Sequence, residues 1–406
     1  MAEAEKQELV DVAGQCPYDY YQAARQRGPV SWEPRTGYWV ASTYSSVSQI
    51  LADEDAFPRL TPAEIVSEQR YERIIATPTF LRGQERLQHH RWWLEIFNPK
   101  NLKAIRSGVI AEVVDATIDE FASRGSAELV HDYTEPVADR AIAGVLGLPW
   151  QDSAWMAELR TNFNHIEHYK GFIYLTPEES KPFAEQALAA THRVDDLIRP
   201  FMEQRRAHPD DTIMSRVLHD DAMAGWSEDE LYGLVRTFFT GGSGTTSIEL
   251  ANAIYLMLTT EGMTERLTGA DPKVVANFVE EALRLVPTNH FRTRVVHQDV
   301  EMDGVRLQKG QIVAPLIASG NRDESHYDHA DEVDLERKNP RQHLAFSVGI
   351  GACAGSGLAR VELQEGVARL ANRLGELRLD PAAEAPSLGG SMFRLYSPLH
   401  VLFQAR

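Results

Sequence analysis

The sequence predicts a mainly α protein with small β regions, on three observations. Apolar residues recur at i, i+3, i+4 spacing over 111–121, 183–206, 228–258, 274–285 and 357–374, the period of amphipathic helices. Strand signals are few and short. Residues 37–42 form one, and 298–313 read as two strands around Asp303-Gly304, a hairpin-type turn pair. Residues 320–342 are a long polar stretch without periodicity, and a loop of that length is functional or structurally special. No repeat, low-complexity tract or Gly/Ser/Pro linker interrupts the chain, which predicts one continuous unit.

Composition narrows the function. A chain of 406 residues that is 43% apolar and 25% charged is ordinary globular protein, with a prior of two to three domains at about 150 residues each. Lys plus Arg number 41 and Asp plus Glu 59, a net charge of −18. So acidic a surface repels phosphate backbones and anionic lipid, so no nucleic-acid or membrane partner is expected. The first residues carry no apolar stretch of the secretory type. The longest apolar run, 250–258, is far short of the roughly 20 residues needed to span a bilayer. Two cysteines, Cys16 and Cys353, make no disulfide framework, and a reducing cytoplasm is the expected location. Residues 1–14 read as a flexible N-terminus.

Cys353 stands in Phe346-Ser-Val-Gly-Ile-Gly-Ala-Cys353-Ala-Gly355, just before a strongly helical segment. Glycines allow tight turns and the close approach of a flat, bulky group. A helix N-terminus favours a negative sulfur. The pattern suits a soft metal ligand or a nucleophile; an isolated cysteine is more often an inert residue beside a loop, and the neighbouring segments decide against that here.

Phe346-x-x-Gly349-x-x-x-Cys353-x-Gly355 resembles the haem-ligand loop of the cytochrome P-450 family. Glu281-Ala-Leu-Arg284 is similar to the family's ExxR pair, with Arg337 as its third member. Asn321-Arg-Asp, Asp334 and 343–346 resemble the family's bacterial branch, as do Pro17-Tyr-Asp-Tyr-Tyr, Gly28-Pro-Val and Tyr38-Trp-Val. The resemblance runs from about residue 15 to the C-terminus. It implies the family's roughly triangular single domain over 15–406, with Cys353 as axial ligand of the iron of haem b. Phe346, Gly349 and Gly355 would shield the thiolate and bond it.

The resemblance also assigns the distal side and the propionates. In Phe238-Phe-Thr-Gly-Gly-Ser-Gly-Thr-Thr-Ser247, three glycines within four residues weaken a helix by about 1 kcal/mol each. The family reading has the helix open there for dioxygen, with Thr245 as the catalytic hydrogen-bonding residue. Gly244 stands where the family usually has Asp or Glu, so protons must come through water, Ser243, Thr245 or a substrate group. Arg294 matches a propionate partner. Arg86 and His90 stand where the family has His and then Arg, exchanged, one helical turn apart on one face. Gly351 replaces a family histidine, and Arg91 reads as a solvent or partner residue.

The implied pocket comprises Phe80, Phe239, Thr240, Gly241, Asn289, His290, Phe291, Met392 and Phe393, with Asn289 or His290 as polar anchor. A compact, mostly apolar aromatic or terpenoid substrate follows, and hydroxylation or oxidative O-demethylation of it. Electrons would come from NAD(P)H through a separate ferredoxin or flavin protein. Lys338, Arg341 and Arg360, with Lys100 and Lys103, would form a local basic patch for that partner. The alternatives are a peroxide-driven peroxygenase, a nitric oxide reductase, or a non-catalytic haem-thiolate ligand-binding protein. His165 and His168 lie on one helical face without a third ligand and read as a solvated or pocket-facing pair, and His326 and His329 as loop residues. Cys16 reads as structural.

Overall fold

The computed structural model describes residues 7–59, 68–75, 81, 83–172 and 177–406, and they divide into two compact units. The first comprises 1–59, 114–135 and 245–406, and the second 60–113 and 136–244. Each unit is assembled from separated stretches of chain. Composition cannot register such a division, because both units draw on the same residue types.

The first unit holds the sheets. Val30–Glu33 pairs antiparallel with Tyr38–Ala41, which pairs in parallel with Ile312–Pro315; Arg294–Val295 closes the four-stranded order. Val40 lies opposite Ala314, and both are fully buried with Tyr20, Tyr21 and Leu316. Expected strands at 298–313 appear as Val300–Met302 and Val305–Leu307. Asp303 (φ 50°) and Gly304 (φ 79°) make the turn between them. Ile312–Pro315 leaves that hairpin to join the larger sheet. Ser126–Glu128, His400–Ala405 and Leu374–Leu379 form a three-stranded sheet, and Ser387–Gly390 pairs with Arg394–Ser397.

Of residues 1–14, the structure describes 7–14. Leu9–Val12 is a 3-10 turn with Leu9 and Val12 buried. The Leu9 N–H donates to Glu33 Oε2 at 2.8 Å, and Arg394 Nη2 donates to the Val12 carbonyl at 2.7 Å. The turn buries Leu9 and Val12 in the core that holds Tyr20 and Tyr21 and leaves Val10 exposed.

The second unit is helical among its described residues. Ser153–Phe172 and Pro177–Ala207 are its long helices. Asp195, nearly fully buried, is bonded by Arg236 and by Arg73 Nη2, the latter at 2.7 Å. The helix Glu228–Thr259 begins in this unit and ends in the first. No described helix is long and apolar enough to cross a membrane.

Candidate functional site

The Cys353 loop takes its shape from two left-handed residues. Ser347 has φ 59° and Gly349 φ 66°. A Cβ on Gly349 would lie 3.3 Å from both the Cα and the carbonyl oxygen of Ala52, so glycine is needed for conformation and for space. The Cys353 N–H donates to the Phe346 carbonyl at 2.8 Å, closing the loop before the helix Ser356–Arg373. The thiol is accessible, yet the protein packed around it pushes its pKa up. The Gly355 backbone N–H acts against that rise, as do the charges of Arg59, Arg360 and Arg292. Donors and cations directed at a sulfur are what a thiolate ligand requires.

Arg59 is a site residue that sequence reading missed. Its Nη2 donates to the Gly351 carbonyl at 2.8 Å, and its Nε lies 3.8 Å from Glu54. A Cβ at 351 would come within 2.9 Å of Glu54 Oε1 and 3.2 Å of Arg59 Nη2. The absent side chain at 351 is thus matched by an arginine lying on the loop. Arg59 is 292 residues away in sequence, and no local pattern could have signalled it.

Behind the loop are two buried carboxylates side by side in sequence. Arg284 forms a bidentate pair with Glu281, 2.8 Å on each arm, with both side chains fully buried. Arg337 Nε adds a third bond to Glu281 at 2.8 Å, and the Asp334 N–H a fourth at 2.9 Å. The expected Glu281–Arg284–Arg337 cluster is therefore assembled. Its neighbour Glu280 bonds His343 at 2.9 Å and Arg360 at 2.7 and 3.1 Å. Burial opposes charge on Glu280, but those bonds outweigh it and hold its carboxyl at about 2. Burial keeps His343 below its ordinary value despite Glu280. Arg360, expected in a basic patch, is spent here: it is 15% exposed and its guanidinium lies 4.6 Å from the Phe346 ring. Lys338 and Arg341 are exposed as expected.

The glycine-rich helix corrects a second expectation. Glu228–Thr259 is continuous α-helix through Gly241, Gly242 and Gly244, so it does not open there. Gly242 serves packing, since a Cβ would lie 2.6 Å from Ile142 Cδ1. A Cβ on Gly241 or Gly244 would meet nothing within 4 Å among the described residues. Gly241, Gly244, Thr245 and Ile248 are the accessible and half-accessible positions at i, i+3, i+4 and i+7. They form a stripe on a helix whose other faces are largely buried. Ser243 donates instead to Asp139, which is paired with Arg160 at 2.5 Å. Thr245 lies half-buried on the stripe, and its carbonyl accepts from Thr288 Oγ1 at 3.1 Å. Glu249, one turn on, was also missed by sequence reading; it is 5% exposed.

The remaining expected residues divide. On Gly83–Ile96, Arg86 is buried and His90 half-buried, one turn apart as the spacing requires. Between them His89 is a core residue, bonded by Trp93 Nε1 at 2.8 Å and stacked on Trp226; burial lowers its pKa to about 4. Arg294 is buried on its strand. Asn289 bridges to Phe393 and is half-buried. Met392 lies 3.8 Å from Arg292 Nη1, whose guanidinium lies 4.7 Å from the Phe393 ring. Thr240 and Gly241 lie on the helix as expected. His290, expected as an anchor, is fully buried: its Nδ1 is 2.9 Å from the Tyr21 hydroxyl and its ring packs against Tyr18. Phe291 joins the same core, and Phe239 stacks on Phe163 at 5.0 Å. These three are core residues because the pocket assignment by position ignores which way each side chain turns. Phe80 lies outside the described residues. Among the described residues no group of three His, Cys, Asp or Glu is placed to hold a metal.

The residues fit a haem. The first unit offers an accessible cysteine on a glycine-rich loop, flanked by guanidinium groups. The helix Glu228–Thr259 offers a stripe where glycines leave room. In the second unit, His90 Nε2 is buried with no hydrogen-bond partner among the described residues, beside Arg86.

The sequence profile of the family Cytochrome P-450 matches residues 14–381. The chain is 28% identical over 355 residues to the putative cytochrome P-450 YjiB of Bacillus subtilis, covering 85% of this chain and 84% of that one. It is 28% identical over 347 residues to the mycinamicin IV hydroxylase/epoxidase of Micromonospora griseorubida, covering 84% and 83%. Among solved structures, CalO2 superposes with a TM-score of 0.83 at 28% identity, with 96% of each chain covered. An accessible cysteine on a glycine loop, the assembled Glu281–Arg284–Arg337 cluster and a match over most of the sequence lead to one conclusion: the chain belongs to the cytochrome P-450 family, whose members are haem-dependent oxidoreductases.

Proposed function

We propose that the chain is a cytoplasmic monooxygenase that binds haem b through Cys353. It places one oxygen atom of dioxygen into a small, mostly apolar organic substrate, by hydroxylation or oxidative O-demethylation of an aromatic or terpenoid, and the other atom leaves as water with two electrons and two protons. The observation that carries the reading is the Cys353 loop: an accessible thiol, a Gly355 N–H directed at it, and Arg59, Arg292 and Arg360 close enough to favour its charge. Phe346, Gly349 and Gly355 keep the sulfur shielded and bonded. From the first unit Arg294, and from the second Arg86 and His90, serve the propionates. When bound, the haem supplies the activation of dioxygen.

The chain's own groups do the rest. Thr245 orients a hydroxyl on the accessible stripe, where Gly241 and Gly244 leave space. In the first unit Met392 and Phe393 offer a substrate apolar surface, with Asn289 as the polar anchor; in the second unit Thr240 and Gly241 are the candidate contacts. Asn289 Oδ1 is buried and has no hydrogen-bond partner among the described residues, so a substrate donor there would be selected strongly over analogues that lack it. Electrons come from NAD(P)H through a separate ferredoxin or flavin protein, and exposed Lys338 and Arg341 suit an acidic partner.

A peroxide-driven reaction is the second reading, favoured by the missing acid at Gly244. The deciding experiment has two parts. Reduced protein with carbon monoxide gives the red-shifted Soret band of thiolate ligation; Cys353→Ala loses it and Cys16→Ala keeps it. An unchanged band in Cys353→Ala overturns the assignment. Product formation from an aryl ether such as 7-ethoxycoumarin, with NADPH and surrogate ferredoxin against peroxide alone, then separates the two readings.

A further inference from the structure

One buried acid has no part in the reaction so far. Glu249 follows Thr245 by a single helical turn, and side chains on a helix lean towards its N-terminus. Its carboxyl therefore lies over the turn of Thr245. The Thr288 hydroxyl ties the two together, 2.9 Å from Glu249 Oε2 and 3.1 Å from the Thr245 carbonyl. Oε2 also accepts the Thr288 N–H at 2.7 Å. Oε1 is buried and has no hydrogen-bond partner among the described residues. A carboxyl retained in this position with one oxygen unbonded is costly, and an apolar side chain would avoid the cost.

We propose that Glu249 is the proton-holding carboxyl of this enzyme, serving from one turn beyond Thr245 in place of the acid that Gly244 lacks. The inference rests on the haem and dioxygen reading above. Two donors occupy Oε2, so the proton of the neutral acid sits on Oε1. That O–H gives its proton to a water that must enter beside it from the accessible stripe of Gly241, Gly244 and Thr245. The carboxyl O–H bond breaks, a bond to the water oxygen forms, that water passes one of its own protons on to the oxygen atom that is reduced to water, and the carboxylate takes a proton back from solvent between turnovers. No electron moves in this step. Burial raises the Glu249 carboxyl to about 8, against the lowering effect of the Thr288 amide and hydroxyl. It is therefore loaded at neutral pH and close to the range in which transfer is efficient. Ser243 does not compete, because its hydroxyl is committed to Asp139.

The test uses the holoprotein. Its infrared spectrum in H2O and D2O should contain a protonated-carboxyl band that titrates with a midpoint of about 8 and disappears in Glu249→Gln. Glu362, a second acid whose pKa burial raises well above the ordinary value, should keep its own band. With NADPH and a surrogate ferredoxin system, oxygen consumption without added substrate should fall about tenfold or more in Glu249→Gln and lose its pH step. Adding Gly244→Glu, where a side chain has room, should restore the rate. A carboxyl band titrating below pH 6, or wild-type rate and pH profile in Glu249→Gln, overturns the proposal. Should Glu249→Gln fail to fold, Thr288→Val must move the titrating band; an unmoved band overturns it equally. Failure of the haem reading is separate, because it appears as a missing carbon monoxide band while the infrared titration is unaffected.

Discussion

Replacing Glu280 with glutamine should make the Cys353 loop lose its acid-sensitive anchor. Glu280 grips both flanks of that loop: His343 lies ahead of Phe346, and Arg360 is on the helix after the cysteine. A carboxyl held at about 2 instead of 4.5, at about 1.4 kcal/mol per pH unit, contributes about 3 kcal/mol at neutral pH. Because the folded value lies below the unfolded one, that contribution is complete above about pH 4.5. It disappears as pH falls towards about 2. Glu280→Gln keeps the shape and removes the charge. It should lower unfolding stability by about 3 kcal/mol at pH 7, and the gap to wild type should close on acidification through that window. Chemical denaturation followed by Soret absorbance and far-UV circular dichroism from pH 7 to pH 2 measures it. A loss below about 1 kcal/mol at pH 7, or a gap that stays constant to pH 2, would refute the reasoning.

Two further substitutions probe the frame of the site. Glu281→Ala leaves the fully buried Arg284 without its charge partner and should cost about 3–5 kcal/mol, read as a lowered denaturation midpoint; an effect under about 1 kcal/mol would mean the carbonyls around Arg284 suffice. Gly349→Ala forces a left-handed φ of 66° on a residue 3.3 Å from Ala52 backbone atoms. It should cost about 1–2 kcal/mol and speed transfer of haem to apomyoglobin, and unchanged transfer would show that the loop relaxes freely.

The fold was legible where a pattern is local. The helix expected at 228–258 occurs as Glu228–Thr259, and the Asp303-Gly304 turn lies where its residues demand. Cys353, Glu281, Arg284 and Arg337 were legible because their spacing is itself the signal. The continuity of the glycine-rich helix was not legible, because propensity costs of about 1 kcal/mol each are overridden by packing such as that of Gly242 on Ile142. His290, Phe291 and Phe239 were misplaced because position along the chain does not give the direction of a side chain. Glu249 looked like one acid in an apolar run; its meaning depends on Thr288, 39 residues away.

Two of the chain's departures from its family, both to glycine, have opposite physical consequences. At 351 the space is filled, since Glu54 and Arg59 crowd the position and Arg59 bonds the loop carbonyl. A side chain restored there would have to displace a cation already acting on the Cys353 thiol. The loss at 351 is therefore compensated on the spot, and the loop keeps a positive neighbour. At 244 the space is open, with nothing within 4 Å of a Cβ among the described residues. Neither a clash nor a substitute at that position explains the missing acid. On the proposal made for Glu249 the proton is carried one turn further on, where the hydroxyl of Thr288 joins the Thr245 turn to a buried carboxyl. On that proposal the two glycines separate a change in how the loop is held from a change in where the proton is stored.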